Sequence, residues 1–417
     1  MRLFNVPTAA IALSIVASIC TIHSSADGLR AAAAKIDITP PRPAYLAGYS
    51  IARKSEAVHD HLSARCVVLD DGTTRIALVS CDLIGVPRFN TLLIRKQISR
   101  VPQSQVIIGG THTHSGPDTL GMWGPTLTVS GVDKPWLEDT CTKIARMVDA
   151  TADAIKPVTL RLAETSGLKR ISKNIRLPQI LDTHLSVLQL QDEQTKKPLV
   201  TLVNYACHPE ILNNRQMTAD FPHWLYEAVE AAGGGECIYF NGAQGGMVTA
   251  DFDESLAPRG ANWVEAERIG KQLGAAALKV IADAPLVTAP TLSFARQVFS
   301  VPLANRRYRA LINMKVFSGT LLPDGSVETE ASWFKIGPAE FVTIPGEALP
   351  NVGIFLRAHM QGSPRFQLGL TNDFLGYILA PEDFGVDLYG YESGQSVGPE
   401  IEPILVKNLL QMIDAKR

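Results

Sequence analysis

The sequence of 417 residues predicts an α/β protein with mixed, layered sheets and helices. Short β-rich runs alternate with amphipathic helical segments early in the chain, and strand-like runs cluster towards its end. Two β-rich runs also flank Asp70-Asp71-Gly72-Thr73, which is a hairpin signal. A chain with this pattern buries its apolar faces by stacking sheets and helices in layers.

The N-terminus has the parts of an export signal. Arg2 follows the first methionine, an apolar run covers residues 6–22, and small residues lead to a cut after Ala26. The alternative is a membrane anchor, but the small-residue exit favours cleavage, and no later apolar run is long enough to span a bilayer. We therefore expect a signal peptide over residues 1–26 and a single domain over 27–417, secreted or periplasmic.

The composition is that of a globular protein, with 46% hydrophobic and 19% charged residues. The formal net charge is −2 and no basic stripe is present, so we expect no nucleic-acid partner. The oligomeric state is left open. Five cysteines beyond the signal peptide stand at irregular spacing in apolar surroundings, which favours buried free thiols over a disulfide framework. They are Cys66, Cys81, Cys141, Cys207 and Cys237.

The elements follow in an order set by turn and cap residues. A first strand at 31–38 ends before Pro40-Pro41, and a helix at 87–100 precedes a strand at 105–109. Asn262 and Glu265 form a capping box that begins a long helix. The hairpin strands are 64–69 and 76–80, the remaining strands 158–163, 184–191, 199–207, 237–240, 291–302, 326–336, 340–344 and 366–370, and the remaining helices 135–155, 222–232, 262–284 and 403–413.

The strand at 105–109 leads into Gly109-Gly110-Thr111-His112-Thr113-His114. Residues two apart in an extended segment point to the same face, so His112 and His114 are presented side by side. The glycines allow the backbone to pass close to a neighbour. Neutral imidazoles on a stiff strand end are typical ligands of a catalytic metal. A solvated loop that contains two histidines is the alternative.

Polar residues recur at the ends of other apolar runs, namely His208, Glu347, Tyr377 and the turn at 241–246. The ends of strands form the ligand crevice of α/β sheets, and scattered His and carboxylate ligands suit a zinc ion. Taken singly, His208 is also explained as a buried structural histidine, and Glu347 as part of a turn. The joint occurrence of these residues favours a site.

A second cluster, His59-Asp60-His61, follows an early loop. It could support the ligands of a metal site or form a secondary metal cluster, but we favour a solvated loop. The apolar segment Leu120–Leu127, which contains Trp123, has no periodic partner. We interpret it as a wall of an apolar substrate pocket or as a local cap over the core.

Several of these motifs resemble, in order, those of the neutral/alkaline (non-lysosomal) ceramidases. The resemblance covers residues 31 to 395 and is most specific in the Thr-His-Thr-His-Ser-Gly-Pro stretch. It implies the fold of that family's N-terminal catalytic domain. The matching segments are Ala34–Pro40, Gly110–Asp118, Ala206–Glu210, Ile344–Glu347, Gly376–Asp383 and Tyr391-Glu392.

The resemblance implies one zinc ion per chain, bound by His112, His208, Glu347 and Tyr377. The reaction it implies is hydrolysis of an N-acyl amide, with a ceramide-like lipid or a small-molecule amide as substrate. Transient contact with a membrane surface is compatible with such a substrate.

The resemblance also assigns roles beside the metal. His114 becomes the acid/base group, Tyr391 a hydrogen-bond donor to the developing oxyanion, and Arg176 the counterpart of a family arginine. Each of these roles is carried over from the family motif to the matching position.

Two departures from the family pattern bear on the substrate. The family's glycine-rich turn carries an aspartate and a serine, and Ala243 and Gly245 stand in their places here, with Gly245 expected to face the substrate. The family's C-terminal immunoglobulin-like domain has no counterpart in this sequence. Two alternatives therefore stay open: a zinc hydrolase acting on a different amide or an ester, and a non-catalytic ceramidase-like binding protein.

Overall fold

The structure, a computed structural model, describes residues 28–415 except 247, 258 and 259. The signal peptide expected at 1–26 lies outside the described residues. The strands are β1 (Arg30–Asp37), β2 (Ala57–Val58), β3 (Ser63–Asp70), β4 (Arg75–Cys81), β5 (Val106–Gly110), β6 (Lys156–Thr165), β7 (Ser172–Asn174), β8 (Leu185–Asp192), β9 (Pro198–Tyr205), β10 (Gln216–Met217), β11 (Glu236–Asn241), β12 (Val248–Ala250), β13 (Leu292–Pro302), β14 (Ser326–Ile336), β15 (Ala339–Thr343), β16 (Glu347–Ala348), β17 (Arg365–Leu368) and β18 (Tyr377–Ile378).

The helices confirm the periodicity of the sequence, including the long helix that Asn262 begins by accepting a hydrogen bond from the Glu265 backbone. A further helix begins at Arg306, between the predicted strands 291–302 and 326–336, where the sequence predicts no helix with defined bounds. The helices are α1 (Arg88–Gln97), α2 (Lys134–Asp153), α3 (Phe221–Ala231), α4 (Trp263–Ala282), α5 (Arg306–Asn313), α6 (Pro350–His359), α7 (Gly390–Gly394) and α8 (Ile401–Asp414).

The larger sheet has eight strands in the order β11-β9-β8-β6-β1-β3-β4-β5. Most neighbours are antiparallel, but β4 pairs with β5 in parallel, and β9 with β11 in parallel. A second sheet has the order β13-β14-β15-β17. Both sheets are therefore mixed, and the predicted α/β class is confirmed.

The core is organised in layers between and around the two sheets. Alternate residues of each strand face opposite sides, so Val67 of β3 and Phe334 of β14 meet in one buried cluster between the sheets. The opposite face of the larger sheet is covered by α1 and α2 at one end and by α3 and α4 at the other. Helix α8 covers the outer face of the second sheet.

The segment after β17 joins the two edge strands of the larger sheet. The Gly369 N–H donates to the Asn241 carbonyl at 2.9 Å, and the Gly110 N–H donates to the Leu370 carbonyl at 3.2 Å. The Asn241 side chain also donates to the Thr111 carbonyl at 3.1 Å. The ends of β5 and β11 are thereby held together, although they lie at opposite ends of the strand order.

The cysteines behave as the sequence predicts. All five in the described part of the chain are buried and unpaired. Within residues 28–415, as far as they are described, no helix combines the length and the apolar character needed to cross a bilayer.

Candidate metal centre

The strand end at β5 delivers His112 into the interior by a close backbone contact. A Cβ on Gly110 would lie 2.9 Å from the Leu83 carbonyl oxygen, so only glycine fits there. His112 itself has φ of 75°, a conformation that costs a non-glycine residue about 1–2 kcal/mol. Its N–H donates to the Leu83 carbonyl at 2.9 Å, which holds the bend. The side chain is 2% exposed.

Two histidines of the site have a defined tautomer. His112 Nδ1 lies 2.7 Å from the Ile84 carbonyl oxygen, and His208 Nδ1 lies 3.0 Å from the Val248 carbonyl oxygen. A carbonyl oxygen only accepts hydrogen bonds, so each Nδ1 carries the proton. In the neutral rings, both Nε2 atoms therefore present a lone pair to the interior.

Glu347 brings a carboxylate to both of these nitrogens. Its Oε2 lies 3.3 Å from His112 Nε2 and 3.1 Å from His208 Nε2. Burial works against the charge of Glu347, but His112 and His208 outweigh it and hold the pKa of this carboxyl well below its usual range. Burial likewise opposes protonation of His208, and the Glu347 carboxylate raises the pKa of this imidazole to about 9.

His114 completes a cluster of three buried imidazoles. Its ring centroid lies 4.9 Å from that of His112 and 5.6 Å from that of His208. Both ring nitrogens are buried and make no hydrogen bond among the described residues. Burial and the two neighbouring imidazoles lower the pKa of His114 well below its ordinary value. Ligand atoms of His112, His114 and His208 lie within 4.8 Å of one another, so the group could hold a metal ion.

Tyr377 and Tyr391 lie on the open side of the cluster. Tyr377 stands opposite Glu347 in the parallel pair of β18 and β16, which turns both side chains to one face. Tyr391 has its ring centroid 5.9 Å from that of Tyr377 and is 51% exposed. Burial, followed by the charge of Glu347, raises the pKa of Tyr377 well above its ordinary value and that of Tyr391 to about 12.

Two further predicted site residues, Arg176 and Gly245, are held by contacts outside the histidine cluster. Arg176 forms an ion pair with the buried Glu392, at 2.8 Å between Nε and Oε1. Gly245 packs against the chain at Glu347, since a Cβ on it would lie 2.2 Å from the Glu347 carbonyl oxygen. Its N–H donates to the Ala348 carbonyl at 2.8 Å. The role of Gly245 in substrate contact stays a prediction.

A cavity of about 230 Å³ opens beside the cluster. His112, His114, Glu347, Tyr377 and Tyr391 reach its wall, as does the predicted Trp123. Sequence reasoning missed the other lining residues, which include Tyr49, Arg307, Tyr308, Phe374 and Gln395. None of these follows a strong strand signal, so no pattern in the sequence singled them out.

The second histidine cluster lies apart from this cavity. His59 pairs with Asp60 at 2.8 Å and stacks on Trp263 with 4.0 Å between ring centroids. His61 pairs with Asp37 at 2.7 Å and its side chain is 74% exposed. In the described part of the chain, these residues do not form a metal-binding group of the kind seen at His112.

The fold matches that of solved ceramidase structures. A neutral ceramidase from Pseudomonas aeruginosa aligns with a TM-score of 0.78 over 93% of this chain and 74% of that chain, at 17% sequence identity. A ceramidase complexed with C2 aligns with a TM-score of 0.76 over 94% of this chain and 75% of that chain, also at 17% identity. No family model and no curated protein sequence matches the chain. The predicted resemblance is thus confirmed at the level of the fold.

Proposed function

We propose that this chain is a zinc-dependent amidohydrolase that cleaves an N-acyl amide, with a ceramide-like lipid as the leading substrate. One observation carries the proposal. Two Nε2 atoms, with both Nδ1 atoms engaged by carbonyl oxygens, converge on one oxygen of a buried carboxylate at 3.1 and 3.3 Å. A metal ion at this point would take the place of the proton that His208 otherwise shares with Glu347.

The donor set fits zinc. Imidazole nitrogens and a carboxylate oxygen are typical ligands of this ion, and beside this set both ring nitrogens of the buried His114 make no hydrogen bond among the described residues. His112, His208, Glu347 and Tyr377 would hold one zinc ion per chain. When bound, zinc supplies Lewis-acid polarisation of a carbonyl and lowers the pKa of water to about 7.

The remaining groups act on protons and on developing charge. We assign His114 the transfer of a proton from the attacking water to the leaving amine, since its ring lies in the cavity wall beside those of His112 and His208. Tyr391 keeps its proton at neutral pH, since its pKa is about 12, and donates to the oxyanion. Arg176 adds positive charge from its anchored position beside Glu392.

The fold shared with ceramidases supports the reaction class, and the crowded position of Gly245 bears on the substrate. A serine at this position would collide with the Glu347 backbone. The proposed route needs no serine nucleophile, so the glycine is compatible with hydrolysis. It also favours the alternative that the same zinc site acts on a different amide or an ester.

The surroundings of the cavity support contact with a lipid surface. Ile51 lines the cavity and is 38% exposed, and the nearby loop carries Leu127 at 58% and Val129 at 49% exposure. We propose transient membrane contact through this apolar rim, in an exported protein. Sedimentation with phosphatidylcholine vesicles tests it: the Leu127→Ser/Val129→Ser double variant should bind less, and equal sedimentation of both proteins overturns the contact.

Metal content and amidase activity, measured together, test the main proposal. The wild type should contain zinc and hydrolyse an N-acyl amide, and His112→Ala should lose both. His61→Ala is a matched control, because it removes an exposed imidazole from the other cluster. Full activity and unchanged metal content in His112→Ala would overturn the proposal. Comparing ceramide with water-soluble amides and esters separates the alternative substrates.

A further inference from the structure

A second cavity, of about 310 Å³, lies beside the candidate metal centre. It is bounded by α1, by α5 and by the loop after α5, and we call it the apolar chamber. Its wall is formed mainly by hydrocarbon side chains, among them Leu92, Leu120, Leu303, Ile312, Phe317 and Leu322. The charged residues at its rim are already paired, since Arg88 forms ion pairs with Glu328 and Glu330.

Three side chains separate the apolar chamber from the metal-side cavity, because Met122, Tyr308 and Phe374 line both spaces. Phe374 lies parallel to His112, with 6.0 Å between ring centroids. Met122 and Phe374 are partly exposed, and methionine adapts its shape easily. The two spaces share this wall, so an acyl chain that displaces these side chains from the metal-side cavity would reach the apolar chamber.

The two cavities differ in the groups they offer. The metal-side cavity presents Arg307, Gln395 and the tyrosine hydroxyls, whereas the chamber offers hydrocarbon. An N-acyl amide substrate has an apolar end, the acyl chain, and a more polar end, the amine. Binding of the acyl chain in the chamber is favourable because the chain leaves water, and the polar groups of the metal-side cavity stabilise the amine.

The volume of the chamber limits the length of the chain. An apolar cavity of about 150 Å³ holds benzene, which has six carbons. A chamber of about 310 Å³ therefore holds roughly twelve carbons. That is space for one acyl chain of medium length.

We propose that the apolar chamber is the acyl-chain subsite, and that the substrate is an N-acyl amide with an acyl chain of medium length on an amine that carries polar groups. This rests on the proposed function, whose site it extends. Water adds to the acyl carbon, the C–N bond breaks, and the products are a carboxylic acid and an amine. The acid keeps its chain in the chamber until it is released.

Binding of saturated fatty acids tests the chamber without any turnover. Calorimetry with zinc-loaded protein and acids of 4 to 16 carbons should show affinity rising about fourfold per methylene, because each one leaves water. The rise should stop at roughly twelve carbons. A flat series, or a rise that continues to 16 carbons, overturns the proposal.

Gly319→Leu narrows the chamber. Gly319 lies in its wall, and a Cβ there would meet only Ile312 side-chain carbons at 3.5 Å, an ordinary contact. The preferred chain should shorten by about four carbons, the number that leucine adds, while acids of four carbons bind as before. Gly28→Leu is the matched control, because a Cβ at Gly28 has no neighbour within 4 Å and the residue lies outside the chamber. If Gly319→Leu and Gly28→Leu show the same dependence of affinity on chain length, the chamber is not the acyl-chain subsite.

Turnover separates this inference from the proposed function. N-acyl amides of one fluorogenic amine, with 2 to 16 acyl carbons, should show kcat/KM with a maximum near the same length as the acid series. Hydrolysis that does not depend on chain length supports the function and overturns the chamber. Absence of hydrolysis at every length overturns the function, and the acid-binding series then still decides the chamber.

Discussion

Two segments of this chain have the sequence pattern His-x-His, but their side chains lie in different environments. His112 and His114 lie buried, and their carboxylate neighbour Glu347 comes from a distant strand end. His59 and His61 each pair with a nearby carboxylate, Asp60 and Asp37 respectively. The first segment depends on a carboxylate from a distant strand end, whereas each histidine of the second segment has a carboxylate of its own at 2.7 to 2.8 Å.

The residue between the histidines contributes to this difference. Asp60 supplies a counter-charge to His59 within its own segment, and its other oxygen accepts from the Ala219 N–H at 2.9 Å. Thr113 has no charge to offer and donates its hydroxyl to the Thr218 carbonyl at 2.7 Å. The pattern alone therefore does not define a metal site. Burial without a counter-charge in the same segment distinguishes the candidate metal centre from the second cluster.

Glu347→Gln should produce the largest effect. The amide keeps the size of the side chain and can donate to the two Nε2 lone pairs, so the fold should survive. Bound zinc should be lost and activity should fall by more than about 10³-fold, because a charged ligand is gone. Metal analysis and initial rates measure both. If Asp60→Asn has the same effect, the contrast between the two clusters is wrong.

Asp373→Asn measures the cost of burying a charge in the wall of the apolar chamber. Burial raises the pKa of Asp373 to about 6, against 3.8 in an unfolded chain. The folded protein therefore binds more protons between these values, and its free energy of unfolding should fall as pH rises from about 4 to 6. The loss can reach about 3 kcal/mol.

The asparagine variant should lack this pH dependence. Its oxygen can accept from the Arg88 and Phe374 N–H groups, and its amide can donate to the Thr329 hydroxyl. Urea unfolding at several pH values from 4 to 8 compares the two proteins. Parallel curves for wild type and variant would show that Asp373 does not titrate in the fold as described.

Tyr391→Phe should reduce kcat by about 10²-fold, because one donor to the oxyanion is lost. The side chain is 51% exposed, so its packing matters little, and zinc content should stay unchanged. Steady-state kinetics with metal analysis separates this outcome from loss of the ion. An unchanged kcat would remove Tyr391 from the proposed mechanism.

His61→Ala should have the smallest effect. Its side chain is 74% exposed, and surface ion pairs of this kind contribute little. We expect unchanged activity and a change in the free energy of unfolding within about 0.5 kcal/mol. Loss of zinc from this variant would mean that the second cluster also takes part in metal binding.

Much of the fold could be read from the sequence because its signals are local. The hairpin at Asp71-Gly72 and the cap at Asn262 are predictable from neighbouring residues, and so are the strands predicted at 326–336 and 340–344, which the structure has at 326–336 and 339–343. The short strands β7, β12, β16 and β18 were not, because two or three residues carry no period.

The site was predictable only as a set of strand ends. Resemblance to a family predicted that His112, His208 and Glu347 lie together. No periodicity in the sequence predicts the distances between these side chains. The positive φ of His112 and the carbonyl oxygens that fix the tautomers depend on long-range contacts. The apolar chamber escaped prediction for the same reason, since α1, α5 and Phe374 meet only in three dimensions.

Because Gly245 packs against the Glu347 carbonyl, a substitution at position 245 cannot be independent of the backbone at Glu347. A single substitution to serine at 245 would push on the backbone of a proposed metal ligand before its hydroxyl could contribute to chemistry. A serine at 245 would therefore require the Glu347 segment to move first. The wall of the apolar chamber carries no such constraint at Gly319, where a Cβ would meet only ordinary contacts.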